Sequence, residues 1–275
     1  MAKCFSLATL SLFTVFQFAC AAVPVPADDV SPDSDTAEDV SNASSALTPS
    51  GTNCAVTKDA NGFFTRNSTQ SPYVVYIPAK YTHYAPMRLI VGLHGCGDTP
   101  ENFASWGINP WKTRATQTHI GISIGGETGG NKCWNVSGAD DAKIAAAIED
   151  LKHCYWVDER KVVIAGYSSG GQLAYRMGML DSGRFAGIVI ENSGFYAAGD
   201  KNTLLWTSQW RLNIAHRAHT GDTVFPLSRV RADWDILRAW KFPLTTSEVA
   251  GTHSGTGDDW ADWLIPTSAN WTRPW

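Results

Sequence analysis

Charged side chains are scarce in this 275-residue sequence: they make up 17% of it, 22 basic against 26 acidic, with a formal net charge of −4. Such a balance leaves no material for a broad basic face, so nucleic acid is not expected as a partner. Beyond the N-terminus no apolar run reaches the roughly 20 residues of a membrane-spanning helix, and no membrane partner is expected. Internal repeats are lacking, and cysteine is sparse at six. Aromatic residues, by contrast, are plentiful, with 12 Trp, 11 Phe and 8 Tyr. Together with 44% apolar residues they exclude disorder as a global description.

The first segment reads as an address. Lys3, an apolar stretch from Phe5 to Ala19 and the small residues Ala19-Cys-Ala21 have the layout of a secretory signal peptide over residues 1–21. Residues 22–50 are rich in Pro, Ser and Ala and carry Asp28, Asp29, Asp33, Asp35, Glu38 and Asp39 without a basic residue. Burial there cannot offset ordering entropy, so this stretch is expected to be a disordered acidic linker or propeptide. Without this acidic segment and Lys3, residues 51–275 carry a formal charge of about +1 and imply no strongly charged partner. Cys54, Cys96, Cys133 and Cys154 remain after the leader, an even number that suggests two disulfides with three possible connectivities. Asn42, Asn67, Asn135 and Asn270 head N-glycosylation triplets, which matter only in a eukaryotic source.

Residues 51–275 alternate between strand and helix patterns. Short β-branched runs lie at 73–77, 88–93, 119–124, 161–165, 185–190, 212–216 and 244–249. Between them, residues 140–155 space Ile144, Ala147, Ile148, Leu151 and Tyr155 as one helical stripe, and a second helix runs to Leu180. Strands separated by helices predict one α/β domain with a mainly parallel sheet covered on both faces.

Gly166-Tyr-Ser-Ser-Gly170 fits Gly-x-Ser-x-Gly at a strand-to-helix junction, where the tight turn makes Ser168 a candidate nucleophile. The backbone N–H of Ser169 would face the developing oxyanion, with the N–H of Cys96, in the loop Leu93-His-Gly-Cys-Gly97, as second donor. An acid and then a base should follow in chain order. Asp222 lies in His219-Thr-Gly-Asp222 after one late strand, and His253 lies in Gly251-Thr-His253 after the last. Asp200, Asp233 and Asp235 rival Asp222, although the latter two sit in a helical pattern and read as solvated. His216 and His219 rival His253 but precede the acid, and His94 reads as a packing residue rather than a base.

The set Leu93-His-Gly-Cys-Gly97, Cys133-Trp134, Gly166-Tyr-Ser-Ser-Gly-Gly171, Ser193-Gly194, Gly221-Asp222 with Pro226, and Gly251-Thr-His253 resembles the secreted polyhydroxybutyrate depolymerase and feruloyl esterase group of α/β-hydrolases. The likeness spans about residues 70–260. It implies an α/β-hydrolase fold without a large lid, and ester hydrolysis through an acyl-enzyme with neither cofactor nor metal. It carries over Ser168, Asp222 and His253 as triad, and Cys96 with Ser169 as oxyanion donors. Cys96 and Cys133 both fall on loops at the carboxyl edge of the sheet, so Cys96–Cys133 and Cys54–Cys154 are the expected bridges.

The expected function is therefore that of a secreted serine esterase, a monomer, acting on polymer-linked esters of plant cell-wall polysaccharide or polyester. Trp134, His94 and Tyr167 are expected to meet the substrate, Trp206 and Trp210 less so, with residues 127–131 on the rim. Acetyl xylan esterase is the nearest alternative and a serine peptidase on this fold a more distant one. A catalytically silent binding module is the alternative of another class.

Overall fold

The computed structural model describes Cys54 and residues 56–116, 118–126 and 132–275. The expected leader (1–21), the acidic segment (22–50) and the expected rim residues 127–131 lie outside the described residues.

Eight strands form one sheet: β1 (Phe63–Asn67), β2 (Pro72–Tyr76), β3 (Met87–Leu93), β4 (Ile120–Ile124), β5 (Val157–Tyr167), β6 (Gly187–Glu191), β7 (Asn213–His219) and β8 (Leu244–Val249). Their spatial order is β1-β2-β4-β3-β5-β6-β7-β8. β2 pairs antiparallel with both β1 and β4, and every other pairing is parallel. This is the α/β-hydrolase architecture that the sequence motifs imply.

Period-two alternation along the central strands divides the core into two layers. On one side Leu89, Val91, Ile164, Ile188, Ile190 and Ile214 pack with α3 (Asp141–Lys152) and α4 (Ser169–Leu180). On the other, Ile90, Val163, Ala165, Val189 and Ala215 meet Phe103, Ile108, Trp260 and Leu264. Phe103 ends the short helix α1 (Pro100–Phe103), which winds on into a π-helical turn at Ala104–Ile108. Trp260 and Leu264 belong to a second π-helical turn, Trp260–Leu264.

The helical stripe behaves as its spacing predicts for Ile144, Ala147, Ile148 and Leu151, all buried. The helix stops at Lys152, however, so Tyr155 packs from the following turn. β5 is longer than the expected 161–165 and carries the chain directly to Ser168. β1 has no counterpart among the expected strands. It is an edge strand with Phe63 and Phe64 buried next to polar residues, and it lacks the alternation of a half-buried strand. Between β6 and β7 the chain forms only a 3-10 turn (Phe195–Ala197) and α5 (Lys201–Thr207), so no large lid is inserted there. Both expected disulfides are present, Cys54–Cys154 and Cys96–Cys133, with Cα atoms 5.5 and 4.3 Å apart.

Candidate active site

Ser168 stands between β5 and α4 with φ 53° and ψ −120°, a conformation that L-residues adopt only under constraint. Close packing imposes it. A Cβ on Gly170 would lie 1.9 Å from Leu93 O, and one on Gly166 would lie 2.3 Å from Gly170 C. The helix can therefore press against both strand and loop only because these positions have no side chain. The Ser168 carbonyl accepts a hydrogen bond from Ser193 Oγ at 2.7 Å, and its N–H donates to Glu191 O at 3.1 Å.

The loops after β7 and β8 bring the other two candidates to the same sheet edge. His253 Nε2 is 2.9 Å from Ser168 Oγ, and His253 Nδ1 is 2.8 Å from Asp222 Oδ2. The second Asp222 oxygen accepts from the N–H groups of Val224 and Phe225 at 2.8 and 2.9 Å, which fixes the carboxylate. Two aromatic rings pack against the His253 ring. Tyr167 stacks on it at 5.4 Å, and Phe225 lies tilted at 5.6 Å. With Nδ1–H donating to Asp222, Nε2 is left to accept from the Ser168 hydroxyl.

Gly95 packs on Tyr167 and beside the Ser168 Cβ, so the residue after it, Cys96, follows on the flank of Ser168. Ser169 is the first residue of α4, where helix geometry leaves the N–H without an intrahelical acceptor. The expected oxyanion donors thus sit on the two segments that border Ser168.

The rivals are placed elsewhere. Asp200 caps α5, and its carboxylate accepts from Asn202 N–H and Thr203 Oγ1. Asp233 lies in α6 (Leu227–Ala239) but is buried rather than solvated. It accepts the Tyr196 N–H at 2.7 Å and pairs with Lys201. His216 is fully buried, its Nδ1 accepting from Trp234 Nε1–H and lying 2.9 Å from the Tyr175 hydroxyl, and desolvation lowers its pKa to about 3. His219 is also buried, with Nδ1 2.9 Å from both Asn192 Nδ2 and Thr252 O.

Two of the expected substrate contacts are corrected. Trp134 is buried on Gly126 and against the His94 ring, and its Nε1–H donates to His94 O at 2.8 Å, so it packs the loop and offers no platform. His94 is wholly buried: Nδ1 contacts Gly95 O at 2.7 Å, Nε2 accepts the Gly126 N–H, and desolvation depresses its pKa. It holds the loop rather than touching a ligand. Tyr167 is half-buried, and its ring faces His253. Trp206 contacts Trp240 and Trp210 bonds Ser182 O, which places both where β7 and β8 begin, at the edge opposite Ser168.

Sequence reasoning gave no role to Asn192 or Glu191. Asn192, at φ 46°, accepts the His219 N–H through Oδ1 and donates from Nδ2 to Ser254 O at 3.0 Å, next to His253. Glu191, His219 and Asp259 bring potential ligand atoms within 4.8 Å of one another. Those carboxylates are already engaged, Asp259 by Arg217 at 2.6 Å and Glu191 by Trp260 Nε1–H at 2.6 Å, so the group reads as a hydrogen-bonded network.

No family model matches the chain. A probable feruloyl esterase C from Aspergillus clavatus is 29% identical over 146 residues, 51% of this chain and 52% of that protein. A poly(3-hydroxybutyrate) depolymerase from Ralstonia pickettii is 32% identical over 123 residues, 38% of this chain and 25% of that protein. The chain therefore spans about half the length of the feruloyl esterase it matches, and less of the depolymerase. Among solved structures, a ferulic acid esterase from the anaerobic fungus Anaeromyces mucronatus superposes with a TM-score of 0.59 at 12% identity, covering 81% of this chain and 94% of that one. The chain has the α/β-hydrolase fold, and its sequence relatives include a feruloyl esterase C and a poly(3-hydroxybutyrate) depolymerase.

Proposed function

We propose that the protein is an exported serine carboxylic-ester hydrolase acting on polymer-linked esters, with a feruloyl-type aromatic acyl group as its preferred substrate. His253 Nε2 takes the Ser168 proton while Asp222 holds the imidazole tautomer, and Ser168 Oγ attacks the ester carbonyl. The N–H groups of Cys96 and Ser169 receive the oxyanion, the alcohol leaves with the proton from His253, and water then releases the acid by the same route. The observation that carries this reading is the continuous hydrogen-bonded line from Ser168 through His253 to Asp222, 2.9 and 2.8 Å long, on a strained elbow.

The substrate class is supported by the named relatives and by the absence of a large insertion between β6 and β7, which suits a bulky polymer chain. Export is supported by the leader pattern of residues 1–21 and by two disulfides, which persist in oxidising compartments. On this reading residues 51–275 are the catalytic domain, and residues 22–50 are a spacer or propeptide. The purified mature protein, offered methyl ferulate, acetylated xylan and polyhydroxybutyrate side by side, is expected to cleave methyl ferulate fastest. Cleavage of acetylated xylan or of the polyester alone would reassign the acyl group. Hydrolysis of none of them, nor of p-nitrophenyl acetate, would overturn the enzyme reading.

A further inference from the structure

In the parallel register Tyr167 of β5, Glu191 of β6 and Arg217 of β7 are neighbours, so their side chains leave the sheet on one face. The segment that carries His253 and then enters the π-helical turn at Trp260 passes over that row. Glu191 is 0% exposed, an unusual place for a carboxyl group. Its Oε2 accepts from Trp260 Nε1–H at 2.6 Å, whereas its buried Oε1 has no donor directed at it. No cation pairs with Glu191 among the described ion pairs. Arg217, its partner in strand register, gives its guanidinium to Asp259 and Ser247 and lays it over the Trp263 ring at 4.9 Å.

Beside Glu191 stands a second carboxyl group, that of Asp259. With Glu191 fully buried and the half-buried Asp259 carboxyl group within 4.8 Å, the pair does not hold two negative charges, because repulsion and the desolvation of Glu191 outweigh what the Trp260 indole and the Thr256 backbone return. The charge belongs on Asp259, which accepts from Arg217 Nη1 at 2.6 Å and Thr256 Oγ1 at 2.7 Å, with His219 Nε2 3.5 Å away. The proton belongs on Glu191, whose other neighbours are the Trp260 indole, the Thr256 backbone and the Tyr167 phenol.

We propose that Glu191 is a positioning residue, a neutral carboxylic acid whose O–H donates a hydrogen bond to the Asp259 carboxylate and so fastens the His253-bearing segment to the end of β6. This rests on the reading of His253 as the general base. Burial, and next the charge of Asp259, push the Glu191 carboxyl well above the usual carboxylate range. Asp259, despite its own desolvation, is held below that range by Thr256, Glu191 and Arg217. The fastening acts close to the chemistry. Tyr167 holds the His253 carbonyl, Asn192 holds that of Ser254, and Gly255 lies so near Glu191 Oε2 that a Cβ there would come within 2.7 Å. Glu191 then ties down Asp259 and Trp260, closing a span that would otherwise be free to swing.

Glu191→Gln tests this. Its amide can donate to Asp259 and accept from Trp260 as the neutral acid does, so kcat and KM should stay close to wild type. Glu191→Ala removes both bonds and should lower kcat on the order of 10²-fold with little change in KM, through misplacement of His253. Should the Ala variant not fold, an infrared difference spectrum of wild type minus Glu191→Gln at neutral pH decides. It should contain the C=O band of a protonated carboxyl group. Absence of that band, or a Gln variant as impaired as a folded Ala variant, would overturn the proposal. The infrared band does not depend on turnover, so an active Ser168→Ala protein would defeat the reading of Ser168 as nucleophile and His253 as its base without deciding the state of Glu191.

Discussion

The ring of Tyr167 stacks on that of His253, centroids 5.4 Å apart and 27° from coplanar, while the Tyr167 hydroxyl donates to the His253 carbonyl at 3.2 Å. The residue before the proposed nucleophile thus steadies the proposed base from both ring and backbone. Tyr167→Phe keeps the stacking and loses one hydrogen bond of about 0.5–1.5 kcal/mol, which should lower kcat roughly twofold to tenfold. Tyr167→Ala also frees the ring of His253 and the face of Gly95 and should cost considerably more. Steady-state kinetics on p-nitrophenyl acetate check both, and an Ala variant with wild-type kcat would refute the role.

Two glycines near the site should respond very differently to alanine. At Gly170 the added methyl would sit 1.9 Å from Leu93 O, so the helix must move away from the loop. We expect a loss of about 3 kcal/mol or more together with loss of activity. At Gly97, φ is +78° but nothing lies within 4 Å, so alanine there meets only backbone strain of about 1 kcal/mol. Denaturant unfolding of the two variants should separate them clearly, and equal midpoints would contradict the packing argument.

The disulfides should divide between stability and catalysis. Cys54–Cys154 closes 100 residues and Cys96–Cys133 closes 37, worth about 5 and about 4 kcal/mol respectively in the chain-entropy model. Cys54→Ser with Cys154→Ser should lower the melting temperature and leave kcat of the folded protein unchanged. Cys96→Ser with Cys133→Ser should lower both, because it releases the loop that bears the proposed oxyanion donor. Unchanged kcat in the second pair would show that the loop keeps its place without the bridge.

Acid should destabilise the fold through its buried histidines. Desolvation lowers the pKa of His119 and His216 from 6.5 to about 3, with the charge of Arg88 adding to the effect at His119. Between these values the unfolded chain binds more protons than the folded one. The stability they contribute is therefore complete above pH 6.5 and lost as pH falls toward 3. His216→Gln cannot take up that proton, so its stability should fall less steeply over this window, by about one proton in the slope. Parallel slopes for wild type and variant would contradict the assignment of a neutral buried His216.

The geometry of the elbow is legible in the sequence because Gly166, Ser168 and Gly170 have a mechanical reason to occur at a strand-to-helix junction. Asp222 and His253 were legible because each follows a recognisable strand and is flanked by glycine. What escaped notice depends on tertiary direction. Trp134 reads equally well as a platform or as packing, and only the close approach of Gly126 turns it inward. Asp233 follows a helical period that suggests solvent, but the 3-10 turn at 195–197 covers it and supplies an N–H. Glu191 has no motif at all, since its neighbours Tyr167 and Arg217 are set by strand register rather than by sequence spacing. β1 is illegible in the sequence because an edge strand of five residues with two adjacent buried aromatics shows no alternation.

The central claim is that Ser168 performs the chemistry, and turnover by a folded Ser168→Ala variant tests it most directly. Dissected triads of this kind lose roughly 10⁶-fold in kcat when the nucleophile is removed, and the same is expected here with methyl ferulate or p-nitrophenyl acetate. A purified, folded Ser168→Ala protein that cleaves either ester at a near-normal rate would contradict the account.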